Sequence, residues 1–272
     1  MKTKLKERKI EEKEFHDKLR TLKKKDDSNY EFYTHNKRFY SVARRSRFFV
    51  NEWLRQRCKD KKVLDYCCGN GETSIFLAKN GAKTIGIDIS EKSIENAKKN
   101  TICEGVNENT SFFTMDAEKL EFENNFFDII ICNGVLHHLD IKRAYPELAR
   151  VLKPEGEIIC DEPLKYNPII QLYRRKTPHL RTKWETEHIL RKKDLDLAMH
   201  YFGKLEIRFF HLATLAAVPF RKFLCFNFIL STFEAVDSIL LKTPLLKWMA
   251  WQAVFVLSQP KKSPRSSAYK HL

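Results

Sequence analysis

Between Lys62 and Cys160 short apolar runs alternate with glycine turns and amphipathic stretches, and this alternation restricts the architecture more than any other feature. Lys62-Val-Leu-Asp65 is a strand-like run that ends in the turn Cys67-Cys-Gly-Asn-Gly71, and Glu72 to Lys79 has helical spacing. Thr84-Ile-Gly-Ile-Asp88 repeats the strand. Ser90 is a suitable helix N-cap, and Glu91 to Cys103 continues as a helix with Ile94 and Ala97 inward. Ser111-Phe-Phe-Thr-Met115, Phe127-Asp-Ile-Ile-Ile-Cys132 and Gly156-Glu-Ile-Ile-Cys160 supply further strands, with helical material from Tyr145 to Leu152 before the last. Strands separated by helices predict an α/β fold built on a mainly parallel, doubly wound sheet. Ligands of such sheets bind beyond the carboxyl ends of the strands, near the point where strand order reverses. The residues to inspect are therefore Asp65 to Gly71, Asp88 to Ser90, Asp116-Ala117, Asn133-Gly134 and Asp161-Glu162.

Gly69 and Gly71 allow a sharp turn and a close approach of backbone to ligand, next to the free amides of a helix start. Asp65 and Glu72 flank that loop, an arrangement that repels a pyrophosphate and suits a ligand carrying positive charge. A carboxylate at Asp88, ending the second strand, can accept hydrogen bonds from two vicinal ribose hydroxyls. The expected ligand contains a ribose and little phosphate.

Val63-Leu-Asp-Tyr-Cys-Cys-Gly-Asn-Gly71, Gly86-Ile-Asp-Ile-Ser90, Asp116-Ala117, Phe127 to Leu139 and Leu148 to Glu157 together resemble the ordered motifs of class I S-adenosylmethionine-dependent methyltransferases of the small-molecule kind, similar to the methyltransferase type 11 group. The resemblance covers about residues 37–163. It implies a Rossmann-like sheet of about seven strands, the last antiparallel, and S-adenosylmethionine as cofactor. Asp65, Cys67, Gly69 and Gly71 would bound its methionine end, Asp88 with Ile89 the ribose, and Asp116 with Ala117 the adenine, while Asn133 would face cofactor and acceptor. One departure stands out: Cys67 occupies the place of the family's first loop glycine, so a Cβ crowds the turn.

Candidate bases fall in two places. His137 and His138 follow the fourth strand, and an imidazole accepts a proton near neutrality without tuning. His179 and His188 lie on a segment after the fifth strand, of the kind that closes over a substrate. Packing or capping explains the first pair as well, and a charged surface loop the second. Methyl transfer requires an aligned nucleophile above all, and an acceptor that ionises by itself needs no base.

Charge is distributed in blocks. Residues 1–62 carry 21 basic and 10 acidic side chains, 63–163 carry 10 and 18, and 164–272 carry 19 and 7, giving +15 over the chain. The resemblance and the composition together imply a charged N-terminal arm (1–36), a cofactor-binding core (37–163), a cap and apolar helical region that completes the sheet (164–260), and a polar tail (261–272). The interleaved lysines and glutamates of the arm predict a solvated helix. From Lys37 to Arg57 the apolar spacing predicts one amphipathic helix. Seven cysteines without a C-x-x-C pair argue against a disulfide framework or zinc ribbon, and no metal is expected. The N-terminus lacks the apolar run of a signal peptide, and no uncharged stretch reaches the roughly 18 residues that span a bilayer. A cytoplasmic protein is expected.

Leu205 to Phe210 and Ala250 to Leu257 read as strands. Between them, Ala213 to Leu241 holds fourteen large apolar residues and only Arg221, Lys222, Glu234 and Asp237 as charges. Basic residues at its borders, with Trp248 and Trp251 nearby, predict a helix lying on an anionic membrane surface; a core helix or a dimer face is the plainer alternative. The leading expectation is methyl transfer to an oxygen or carbon of a hydrophobic small molecule or lipid-like acceptor at a membrane. An RNA methyltransferase ranks second, because Asn133-Gly-Val-Leu136 lacks the Pro-Pro-Tyr used on base amines. A non-catalytic cofactor-binding protein ranks third.

Overall fold

The computed structural model describes residues 2–21 and 37–261. The polar tail after Lys261 and the stretch 22–36 of the arm lie outside them. The chain divides into two compact units that interleave in sequence. A helical unit comprises Met1–Leu54, Asp161–Arg191 and Ile207–Val254, and a sheet unit comprises Arg55–Cys160, Lys192–Glu206 and Phe255–Leu272.

The strands are β1 (Lys62–Tyr66), β2 (Lys83–Asp88), β3 (Thr110–Thr114), β4 (Phe127–Asn133), β5 (Leu152–Pro163), β6 (Phe202–Phe210) and β7 (Gln252–Pro260). They form one seven-stranded sheet in the order β3-β2-β1-β4-β5-β7-β6, with the last strand antiparallel and helices on both sides. β1 pairs in parallel with both β2 and β4, so Asp65 lies opposite Gly86 on one side and Ile131 on the other. Strand order reverses between β1 and β4, which makes the carboxyl end of β1 the crevice for a ligand. Val63, Leu64, Ile87, Ile130 and Ile131 are fully buried, as strands covered on both faces require.

Two helices of the sheet unit match their sequence signals from end to end: Glu72–Lys79 after the glycine turn, and Glu91–Cys103, whose N-cap Ser90 accepts from the Ser93 amide at 2.9 Å. The third, Ile141–Val151, starts earlier than its apolar run because Asp140 caps it through the Lys142 amide. β5 and β7 also run longer than their apolar cores.

Departures from expectation lie in the helical unit. The helix anticipated over Lys37 to Arg57 is broken: a single turn, Lys37–Tyr40, is followed by Arg44–Arg55. The Ser41 hydroxyl donates to the Arg38 carbonyl at 2.6 Å, a local bond that competes with the helical ladder. Val42 and Ala43 then enter a core with Leu215, Ala217, Leu230 and Trp251. The N-terminal helix, Lys2–Thr21, is not wholly solvated. Arg8 and Glu12, one turn apart, are buried: the Arg8 guanidinium lies 4.4 Å from the Trp184 ring centre, and the Thr182 hydroxyl donates to Glu12.

Candidate cofactor site

The loop after β1 reverses direction within five residues, and three of them, Cys67, Gly69 and Gly71, have φ of 60°, 52° and 80°. Left-handed backbone is free for glycine and strained for cysteine. Cys67 thus adopts a backbone that favours glycine, and strain is what the structure shows there. Gly71 is needed for space as well, since a Cβ there would lie 3.0 Å from that of Ala97. The Cys68 thiol packs with Ile94, Ala97 and Phe112, and burial pushes its pKa up. It is a neutral packing group, not a reactive thiolate.

Asp88 braces the loop. One carboxylate oxygen accepts from the Gly69 amide at 3.0 Å and the other from the Ser90 amide at 2.9 Å. Each oxygen keeps a second lone pair for a ligand hydroxyl. Asp65, also buried, accepts from the Ser74 hydroxyl at 2.6 Å. Burial raises its pKa to about 6, with the Ser74 bonds opposing and the nearby Asp88 charge adding to the rise. Neither carboxylate has a basic partner among the described residues. Two buried acids left without a cation are costly unless a ligand completes them.

The remaining strand ends follow. Asp116 accepts from the Glu118 amide at 2.9 Å, and the Ala117 carbonyl accepts from the buried Tyr66 hydroxyl. Ile89, half-buried, lies between Asp88 and the Ser90 cap, and Asn133 is exposed at the tip of β4. Gly134 has φ of 67°, and a Cβ there would meet nothing within 4 Å. His137, buried, and His138, half-buried, sit in the turn Leu136–His138 with ring centres 4.3 Å apart. Asp65, Asp88, Asp116, Asn133 and this histidine pair thus belong to one unit. His179 and His188 belong to the helical unit, where both are exposed and His188 stacks on Trp184 with ring centres 3.5 Å apart.

Residues 58–203 match the methyltransferase domain family. The chain belongs to that family. Its cofactor is S-adenosylmethionine. Among relatives, the ubiquinone/menaquinone biosynthesis C-methyltransferase of Rickettsia typhi is 36% identical over 124 residues, 43% of this chain and 50% of that protein. The chain spans about half the length of such curated relatives. Among solved structures, the PH0226 protein of Pyrococcus horikoshii has a TM-score of 0.52 and 23% identity, covering 80% of this chain and 91% of its own. Geranyl diphosphate C-methyltransferase of Streptomyces coelicolor, solved with Mg2+, geranyl-S-thiolodiphosphate and S-adenosylhomocysteine, has a TM-score of 0.53 at 12% identity, covering 77% of this chain and 75% of its own. These likenesses establish the fold of the methyltransferase.

The residues present fit this cofactor. The cation-free carboxylate pair matches a ligand with a sulfonium charge and vicinal hydroxyls, and Gly69 and Gly71 in the left-handed loop carry no side chain beside it.

Two groups in the helical unit gain their character from burial: Asp161, which the sequence named only as a strand-end residue to inspect, and His211, which it did not single out. Asp161, near the carboxyl end of β5, is buried, and its Oδ1 has no hydrogen-bond partner among the described residues. Burial and the Glu162 charge raise its pKa to about 7, with Arg47 opposing. A carboxyl group of that kind can take or return a proton near neutrality. The strand-end rule does point to Asp161, but burial is what gives it this character. His211 is buried with φ of 67° and shares a 3.0 Å hydrogen bond with the Ser46 hydroxyl. Burial lowers its pKa to about 4, so it is a neutral structural link; nothing in the local sequence signals it.

Proposed function

We propose that this chain transfers the methyl group of S-adenosylmethionine to an oxygen or carbon of a hydrophobic, quinone-like or lipid-like acceptor, working at a membrane surface. The observation that carries the cofactor half is the buried pair Asp65 and Asp88, which has no cation of its own. When bound, the cofactor supplies an electrophilic methyl on a sulfonium centre. The chain's part is to hold and align. Asp88 orients the ribose while fixing Gly69, Asp65 offers negative charge at the loop, and Asp116 with Ala117 bounds the adenine. In this reading 37–163 carry the cofactor, and 164–260 carry determinants of the acceptor. Where the acceptor must lose a proton, His138 and His137 are the first candidates and Asp161 the next. The exposed His179 and His188 rank below them.

A quinone-like acceptor is supported by the named relative, whose similarity extends over 43% of this chain. The membrane is supported by the helix Phe226–Leu240, whose polarity is inverted. Its two charges, Glu234 and Asp237, are buried with Leu230, while Phe228 is 77% and Ile239 69% exposed. A surface helix of a soluble protein presents the reverse pattern. Leu224 and Leu245, also exposed, extend the apolar face, and Arg221, Lys222 and Lys242 border it. No helix among the described residues is long and apolar enough to cross a membrane, so the expected mode is interfacial.

The test has two arms. Calorimetry should show S-adenosylmethionine binding in the wild type. Incubation with radiolabelled cofactor and membrane lipid extract should label an organic-phase product. Label recovered in RNA instead would overturn the acceptor assignment, and cofactor binding with no labelled product would point to a non-catalytic protein.

A further inference from the structure

Within the helical unit, the inverted helix and the second half of β6 enclose a cleft of about 500 Å³. That is the size of a small-ligand site. Four basic side chains, Arg45, Arg208, Lys242 and Lys247, line it against two acids, Glu234 and Asp237. The acids are already satisfied. Glu234 is held by Arg44 at 2.6 Å and by Arg45 at 3.1 Å, and Asp237 accepts from the amides of Leu212, Ala213 and Thr214 and from the Thr214 hydroxyl. Arg208, Lys242 and Lys247 have no carboxylate partner among the described residues. Arg208 lies over the Phe49 ring at 4.7 Å and Lys247 over Phe209 at 5.6 Å, so aromatic faces help to hold two of them at the cleft.

Three uncompensated cations around one cleft call for an anion. We propose that the cleft binds the phosphate of an anionic lipid headgroup, so that the apolar face of the helix and the cleft beside it read one lipid surface together. The choice of lipid over a soluble phosphate or RNA rests on the helix itself: the segment that supplies Glu234, Asp237 and Ser238 to the cleft turns Phe228 and Ile239 outward. A nucleic acid would leave that face uncovered. The inference rests on the membrane reading above and adds headgroup selectivity to it.

The experiment floats the full chain with vesicles of phosphatidylcholine, alone or with phosphatidic acid. The variants are Arg208→Glu/Lys247→Glu and the control Lys98→Glu/Lys193→Glu, which makes the same change in net charge at exposed positions of the sheet unit. Wild type and control should bind the phosphatidic acid vesicles at least tenfold tighter than the neutral ones. The cleft variant should lose that preference and retain its affinity for S-adenosylmethionine. If charge reversal lowers the melting temperature, Arg208→Gln/Lys247→Gln replaces it, with the same loss expected. An equal loss in the control shows that overall charge acts, not the cleft, and overturns the proposal. Vesicle binding without preference overturns the cleft alone, whereas no binding to either vesicle removes the membrane reading with it. Titrations with glycerol 3-phosphate and an RNA oligonucleotide complete the set. Either one binding through Arg208 and Lys247 while vesicle preference is absent makes a soluble anion the occupant and overturns the lipid assignment.

Discussion

Both units bury a pair of acids, and the two pairs are satisfied in opposite ways. In the sheet unit Asp65 and Asp88 are given neutral hydrogen-bond donors and no cation. In the helical unit burial pushes Glu234 up, but hydrogen bonds from Arg44 and Arg45 outweigh it and hold its pKa below the usual range, while backbone amides surround Asp237. The first pair has no cation of its own, which on the proposed reading a ligand supplies; the second has its own partners and leaves other cations free to face outward. What a buried acid does is therefore read from its partners, since burial is common to all four.

The largest test of this contrast removes a completed acid. Asp237→Ala orphans three amides and a hydroxyl, and urea denaturation should show a loss of at least about 3 kcal/mol. S-adenosylmethionine binding should survive in the folded fraction. Asp88→Asn tests the incomplete pair: it keeps one acceptor oxygen, and calorimetry should show cofactor affinity falling ten- to a hundredfold, the equivalent of about 1.5–3 kcal/mol for a charged hydrogen bond. An unchanged affinity would dissolve the distinction between the pairs.

A pH series sharpens the comparison further. With its pKa near 6 in the free protein, Asp65 is mostly protonated at pH 5 and mostly ionised at pH 7. A cationic ligand prefers the ionised form, so affinity should rise about tenfold across that interval as the proton no longer has to be displaced. Asp65→Asn should flatten the dependence. Without ligand the sign for stability is opposite. The folded state holds a proton between the unfolded value near 4 and the folded value near 6, so the contribution of Asp65 to stability falls as pH rises through that window. The smallest effect is expected at the loop. Cys67→Gly relieves a left-handed cysteine at the cost of a more flexible unfolded chain, for a net gain of about 0.5–1 kcal/mol; a loss on thermal melting would show that the cysteine side chain contributes more than its strain costs.

Much of the geometry of the proposed cofactor site was legible because its signals are local. Each strand of a parallel sheet is a short apolar run, and the residues proposed to meet the ligand, Asp65, Asp88 and Asn133, stand at or next to the ends of such runs. The helix starts at Glu72 and Glu91 could be read for the same reason, from a glycine turn and a serine cap. The brace from Asp88 to the Gly69 amide joins residues 19 apart and has no local signal. Neither has the anchoring of Arg8 and Glu12 onto Trp184 and Thr182, where charge spacing alone reads as a solvated helix.

The sequence by itself determined the order of strands and helices, the glycine turn and the acids at the strand ends, because each depends on backbone preferences and on neighbours a few residues away. Only the tertiary structure decided which side of Phe226–Leu240 faces inward. Glu234 shares one stripe of that helix with Asn227, Ser231 and Ser238, a polar pattern that by itself reads as the solvent face. The choice fell to Arg44, Arg45 and the turn at Leu212 to Thr214, which hold Glu234 and Asp237 inside from 190 and about 24 residues away and leave the apolar side outward.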